Sequence, residues 1–303
     1  MNIWANNRAR ILVTSKCNIN CTYCHNEGQP KEHKFISINL VNRISELMQA
    51  NDKKLDSITF SGGEALLHNN IFQIIEKLSR FSLKSTLVTN GLLLDERMLQ
   101  KITESGISKI RLGIDSINKP KSRPTSGRKP KMPIHGVIEM LMKSNTNFEL
   151  NVVLSKYNLT EIGSIIQFCV QNRISAKFFE LVKVEEFGNL SNKAKFKSIE
   201  AIPYQKFEEI VLKYTTTMSY ADDMGASDIV FDGSGDGFSL RYCHYLCDYN
   251  LCYKTGTRID ADGSVYTCMG QRGKLWINEL EPIQHSITIL EKAIQLSCNK
   301  IKL

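Results

Sequence analysis

Short apolar, β-branched runs alternate with amphipathic stretches over the first two thirds of the chain. Arg10 to Thr14 (RILVT), Ser57 to Phe60 (SITF), Ser85 to Thr89 (STLVT), Lys109 to Ile114 (KIRLGI), Phe148 to Val153 (FELNVV) and Lys177 to Leu181 (KFFEL) read as six strands. Between them the apolar positions recur at helical spacing. Ser37 caps a helix through VNRISELM, and Asn69 starts one through IFQIIEKL. LDERMLQKI, HGVIEMLM and TEIGSIIQFCV continue the alternation. This order predicts an α/β fold: a parallel sheet joined by right-handed crossovers.

Chemistry in such folds collects at the C-terminal ends of the strands. Cys17, Cys21 and Cys24 begin three residues after the first strand, and Ser61-Gly62-Gly63-Glu64 follows the second directly. Asn90-Gly91 follows the third, and Asp115-Ser116 the fourth. Each segment alone reads as a turn. Together they predict one site on one rim.

After about residue 215 the pattern changes to a loop-like stretch rich in Gly and Asp, DDMGASDIVFDGSGDGF, then a second cysteine group and a hairpin. TRIDA and SVYTC form its strands around Asp262-Gly263. SITILEKAIQL closes the chain as a helix. A main domain over residues 1–220 and a small appendage over 221–303 are expected.

Composition narrows the chemistry. The chain has 303 residues, a net charge of +8 and nine cysteines. The mild basicity favours an anionic substrate without demanding nucleic acid. MNIWANNRAR lacks the apolar core of a secretion signal, and no run approaches a membrane span, so a cytoplasmic location is expected. Disulfides are then a poor explanation for the thiols. They fall into two groups, Cys17, Cys21 and Cys24, then Cys243, Cys247, Cys252 and Cys268. Cys169 and Cys298 stand alone and read as packing or surface thiols.

KCNINCTYCH has the spacing C-x3-C-x2-C. Zinc would need a fourth ligand, and His25 is adjacent to Cys24, which makes joint ligation awkward. A four-iron cubane suits three thiolates better, because it leaves one iron without a protein ligand.

C-x3-C-x2-C after a first strand, with GGE after the second, resembles the signature of radical S-adenosylmethionine (SAM) enzymes. RILVTSKCNINCTYCHNEG, ITFSGGEALL, LVTNGLLL, KIRLGIDSI, ELNVVLSKYN and TRIDADGSVYTC are similar to the GTP 3′,8-cyclase family of molybdenum cofactor biosynthesis. The resemblance implies a partial (β/α)6 TIM-like barrel with a small C-terminal iron–sulfur (twitch- or SPASM-like) appendage. It implies that Cys17, Cys21 and Cys24 hold a [4Fe–4S] cluster whose open iron binds SAM. Tyr23, Gly62, Gly63, Glu64, Asn90 and Ser116 would contact SAM. A reductant such as flavodoxin or ferredoxin would supply the electron. The 5′-deoxyadenosyl radical released from SAM would abstract hydrogen from a substrate, the protein aiming it and keeping water away.

The second group contains C-x10-G-x4-C through Cys252, Gly263 and Cys268. This resembles the twitch appendage and implies a second [4Fe–4S] cluster on Cys243, Cys247, Cys252 and Cys268. A structural zinc site on the same four residues is the alternative. The resemblance also marks Arg10 and Arg258 as substrate contacts, consistent with arginine's fit to phosphate or carboxylate.

Departures from the family pattern concern the substrate. A basic residue expected four before Gly63 is Thr59, a lysine two before Asn151 is Glu149, an arginine two before Arg258 is Gly256, and a fourth-strand serine is Gly113. Ala65 replaces the proline usual after GGE, and the chain ends IKL rather than in two glycines. These changes argue against GTP. The expected activity is radical-driven carbon–carbon bond formation or cyclisation on a nucleotide-like or other small anionic molecule. The alternatives are a maturase that crosslinks a precursor peptide, and a non-catalytic zinc or iron–sulfur module. The basic loop from Lys119 to Lys131 reads as solvated or as a mobile flap over a phosphate or acidic peptide.

Overall fold

A computed structural model of the chain describes residues 3–19, 21, 23–24, 34–117, 133–181, 201–215, 218–220, 228–231, 238–243, 256–267 and 274–299. Its strands are β1 (Arg8–Thr14), β2 (Ser57–Gly62), β3 (Ser85–Thr89), β4 (Lys109–Ile114), β5 (Phe148–Val153), β6 (Ala176–Phe179), β7 (Met218–Tyr220), β8 (Asp228–Phe231), β9 (Leu240–Cys243), β10 (Thr257–Ile259) and β11 (Val265–Tyr266). Its α-helices are α1 (Ile38–Gln49), α2 (Ile71–Ser79), α3 (Glu96–Glu104), α4 (Ile134–Lys143), α5 (Leu159–Asn172), α6 (Tyr204–Val211) and α7 (Ile283–Asn299).

The expected alternation is present. Ser37 accepts from the Leu40 N–H at 3.0 Å and caps α1, and Asp95 accepts from Met98 N–H at 2.7 Å and caps α3. The start of α2 differs from the sequence reading. Asn70, not Asn69, is its N-cap residue, and it makes no side-chain cap; its N–H donates instead to His68 Nδ1. β1 starts two residues earlier than expected and β2 runs on to Gly62.

The strands form one sheet in the order β11-β10-β1-β2-β3-β4-β5-β6-β9-β8-β7. β1 through β6 follow chain order and are all parallel. Two C-terminal segments extend this run in parallel, β10 beside β1 and β9 beside β6. Each covers an edge that would otherwise expose unpaired backbone. The β10–β11 hairpin is antiparallel, as expected. Gly263 in its turn has φ +83°, and a Cβ there would lie 2.8 Å from the Ile277 carbonyl oxygen, so this turn needs glycine.

The two faces of the sheet differ. Ile11, Val13, Ile58, Phe60, Leu87, Ile110, Leu112, Leu150, Val152, Phe178 and Leu240 are buried in one continuous apolar core with the inner sides of α1 to α6. Removing this area from water drives the layering. The other face is polar, because residues alternate faces along each strand. Among the described residues no helix is long and apolar enough to cross a membrane.

Candidate active site

The polar face carries an ordered row. Arg258 on β10, Arg10 on β1, Thr59 on β2, Thr86 on β3 and Lys109 on β4 are successive register partners. Arg10 Nε donates to Ser61 Oγ at 3.0 Å, two positions along β2 on the same face. Arg258 lies over the Tyr266 ring, 6.0 Å from its centroid. Its Nε is buried and has no hydrogen-bond partner. A buried donor without an acceptor is uncommon in folded proteins and suits a ligand acceptor.

The cysteine loop meets this face at the C-terminal strand ends. The two glycines after β2 hold it there through their backbones. Gly63 N–H donates to Thr14 O at 2.7 Å and Glu64 N–H to Lys16 O at 2.8 Å. A Cβ on Gly62 or Gly63 would stand 2.3 Å from Thr14 O or Lys16 O. Glycine is therefore required for this close approach. Glu64 is 1% exposed. Its Oε1 accepts from Thr89 Oγ1 at 2.9 Å and Leu66 N–H at 3.1 Å, and its Oε2 from Asn90 N–H at 2.8 Å.

Asn90 Nδ2 donates to Asn18 Oδ1 at 2.7 Å and approaches Cys17 Sγ at 3.9 Å. Tyr23, between Cys21 and Cys24, donates its phenol to Asp115 Oδ1 after β4. Ser116 Oγ donates to Glu161 Oε2 on α5 at 2.7 Å. The segments after β1 to β4 thus converge as expected. Asn18, Thr89 and Glu161 have no motif of their own, and sequence reasoning missed them. Asp115 was placed on the rim but without its partner.

Cys17, Cys21 and Cys24 are half-buried thiols that form no disulfide. Burial pushes the Cys17 thiol up to about 11; the Ile19 backbone bond opposes this, and the Glu64 and Cys21 charges add to it. A thiol so placed keeps its proton at neutral pH, and a metal bound there would displace it. Among the described residues, no three His, Cys, Asp or Glu side chains gather as a group able to hold a metal ion. Three thiols spread along one loop fit a cluster, in which each binds its own iron, better than one tetrahedral zinc. His25 lies outside the described residues.

Cys243 ends β9, is 7% exposed and is the register partner of Phe179 and Asp228. Cys247, Cys252 and Cys268 lie outside the described residues, as do Lys119, Lys121, Arg123, Arg128, Lys129 and Lys131. Cys169 is fully buried on α5, a packing thiol as expected.

The Radical SAM superfamily matches residues 11–169, over half of the chain, including the segments after β1 to β4. The chain belongs to the radical SAM superfamily. It is 32% identical over 222 residues to the GTP 3′,8-cyclase of Alkaliphilus oremlandii, covering 71% of this chain and 68% of that protein. It is 24% identical to a probable GTP 3′,8-cyclase of Methanococcus maripaludis (strain C7), over 86% of this chain and 84% of that one. Among solved structures it is similar to Streptococcus suis SuiB bound to precursor peptide SuiA. That likeness has a TM-score of 0.66 at 14% identity, covers 95% of this chain and spans 66% of SuiB's length. Native anSMEcpe with bound AdoMet gives 0.63 at 18% identity, over 96% of this chain and 83% of that one. At these identities the two structures show the shared fold. Radical SAM membership makes the protein an enzyme and implies a [4Fe–4S] cluster and SAM.

Proposed function

We propose that this radical SAM enzyme forms a carbon–carbon bond or closes a ring on a small anionic, nucleotide-like molecule in cofactor or natural-product biosynthesis. The observation that carries this reading is the Arg10–Arg258 pair. Two arginines stand as register partners on the polar face, and one has a buried, unpartnered Nε. Placing two cations side by side is unfavourable unless an anion joins them.

In this reading Cys17, Cys21 and Cys24 hold the cluster, which with SAM supplies the 5′-deoxyadenosyl radical when bound. Tyr23, Gly62, Gly63 and Asn90 shape the SAM pocket. Glu64 and Ser116 act through the neighbours they hold, Asn90 and Glu161. Arg10 and Arg258 orient the substrate's anionic group. Residues 221–303 supply the auxiliary cluster through Cys243, Cys247, Cys252 and Cys268. The enzyme works in the cytoplasm with a flavodoxin- or ferredoxin-type reductant. Thr59 in the arginine row and Gly256 before Arg258 weigh against GTP itself.

The test is anaerobic reconstitution followed by metal analysis and SAM turnover. About eight irons per chain are expected if both clusters are cubanes. Reductant plus SAM releases 5′-deoxyadenosine, and Cys24→Ala abolishes it. Zinc in place of iron, or no SAM cleavage, overturns the reading. Hydrogen transfer from a precursor peptide rather than a small anion would move the assignment to a peptide maturase.

A further inference from the structure

Glu149 lies on the polar face of β5, 5% exposed. It is the register partner of Arg111 on β4. Lys177 on β6 is the partner of Asn151, two residues on, and so sits diagonal to Glu149. One carboxylate meets three cations here. Its Oε1 accepts from Arg111 Nε and lies 4.0 Å from Lys177 Nζ. Its Oε2 lies 3.4 Å from Lys109 Nζ. No other acid pairs with these three cations among the described residues. Lys177 is also the register partner of Arg241. Such a gathering of like charges on a shielded surface holds together only around an anion.

We propose that Glu149 is a specificity-determining residue, a resident carboxylate filling the anion site formed by Lys109, Arg111 and Lys177. The inference rests on the reading that an anionic substrate binds this face, and it names the class of that anion. The open donor is at the other end of the row, at Arg258. The substrate therefore carries one compact anionic group, held by Arg10 and Arg258. A nucleoside triphosphate is rejected, because its chain of charges meets the Glu149 carboxylate where it needs cations. This selects by a built-in repulsive element rather than by added contacts.

The probes are GTP and inorganic tripolyphosphate, titrated calorimetrically into the reconstituted full-length enzyme. The native protein should show no saturable binding at about millimolar ligand. Glu149→Gln should gain at least about tenfold in affinity for tripolyphosphate, the scale of a charge-assisted hydrogen bond. Glu149→Asp keeps the carboxylate and should behave as native. Adding both Arg111→Gln and Lys177→Gln to Glu149→Gln should remove the gain.

Glu149→Gln also strips a counter-charge from half-buried cations, so a second variant guards against poor folding. Glu149→Gln with Lys109→Gln removes one charge of each sign and should still gain. In both variants tripolyphosphate should raise the unfolding temperature more than in the native protein at equal ionic strength. Native binding as tight as the variant's, or a folded variant with no gain, overturns the proposal. SAM cleavage by the native enzyme is read separately. Its loss would overturn the radical reading, whereas unchanged tripolyphosphate affinity would overturn this one alone.

Discussion

Asn90, just past the end of β3, donates its Nδ2 to the Oδ1 of Asn18 at 2.7 Å, and Asn18 directly follows Cys17. The bond ties the cysteine loop to the sheet. Both residues are buried, so losing one partner removes a bond from the other that water cannot readily replace. Asn18→Ala should cost about 1–3 kcal/mol locally. The expected result is normal secondary structure with less iron retained at the first site, measured as iron per chain after reconstitution and desalting. Iron retention equal to native would show that the bond does not position the loop.

Gly62 and Gly63 are closed in by the backbone of the cysteine loop. A methyl group on either would meet backbone oxygen at 2.3 Å. Backbone cannot step aside as a flexible side chain can. Gly62→Ala and Gly63→Ala should each destabilise by more than about 2 kcal/mol, at the severe end for single substitutions. Gly106→Ala is the control. It has φ +93° but meets only Ser79 Oγ at 3.2 Å, and should cost about 1 kcal/mol. Thermal unfolding of the three variants ranks them.

Gly256 stands where the cyclase resemblance leads one to expect an arginine. It has φ +93°, and a Cβ there would lie 2.6 Å from Arg8 O. Gly256→Arg should therefore loosen the pairing of β10 with β1 rather than add a phosphate contact. Lower thermal stability without tighter GTP binding is expected. A stable variant that binds GTP would show that position 256 still belongs to a triphosphate site.

Glu149 also makes stability depend on pH. Burial alone would raise its pKa, but Arg111, Lys177 and Lys109 more than offset this and hold it at about 2, against 4.5 for an ordinary glutamate. A carboxyl whose folded pKa is depressed stabilises the fold above its unfolded pKa. That contribution is lost as pH falls from about 4.5 through about 2. It amounts to roughly 3 kcal/mol. The unfolding free-energy difference between native protein and Glu149→Gln should stay level from neutral pH to about 5, then shrink as pH falls further. A difference independent of pH would contradict the network.

His68 gives a smaller effect of the same sign. Burial lowers its pKa. Its ring is held between Ile36 O at Nε2 and the Asn70 N–H at Nδ1. The second contact needs a neutral ring. The stability it contributes is present above the ordinary histidine pKa of 6.5 and is lost as pH falls through the lower folded value. The His68 imidazole should titrate below 6.5 by NMR.

The sequence alone determined the order of β1 to β6 with the helices between them, and the rim on which the motifs meet; β7, β8 and β9 escaped it, and β8 lies in the stretch expected to be a loop. Strands β3, β4 and β5 were legible to the residue, because apolar runs of period two bounded by turn residues depend on local pattern alone. Gly62 and Gly63 were legible as a motif, but not as the backbone contacts that hold the cysteine loop. What needed tertiary structure was pairing between distant segments. The parallel docking of β10 on β1 places Arg258 beside Arg10 across 248 residues of chain, and no periodicity encodes that. Glu149 read from sequence as a charge reversal that weakens an anion site. Only the register of β4, β5 and β6 reveals that it is the counter-ion of Arg111, Lys109 and Lys177. A side chain's charge is written in the sequence, but the field it sits in is set by strands that meet only when the sheet forms.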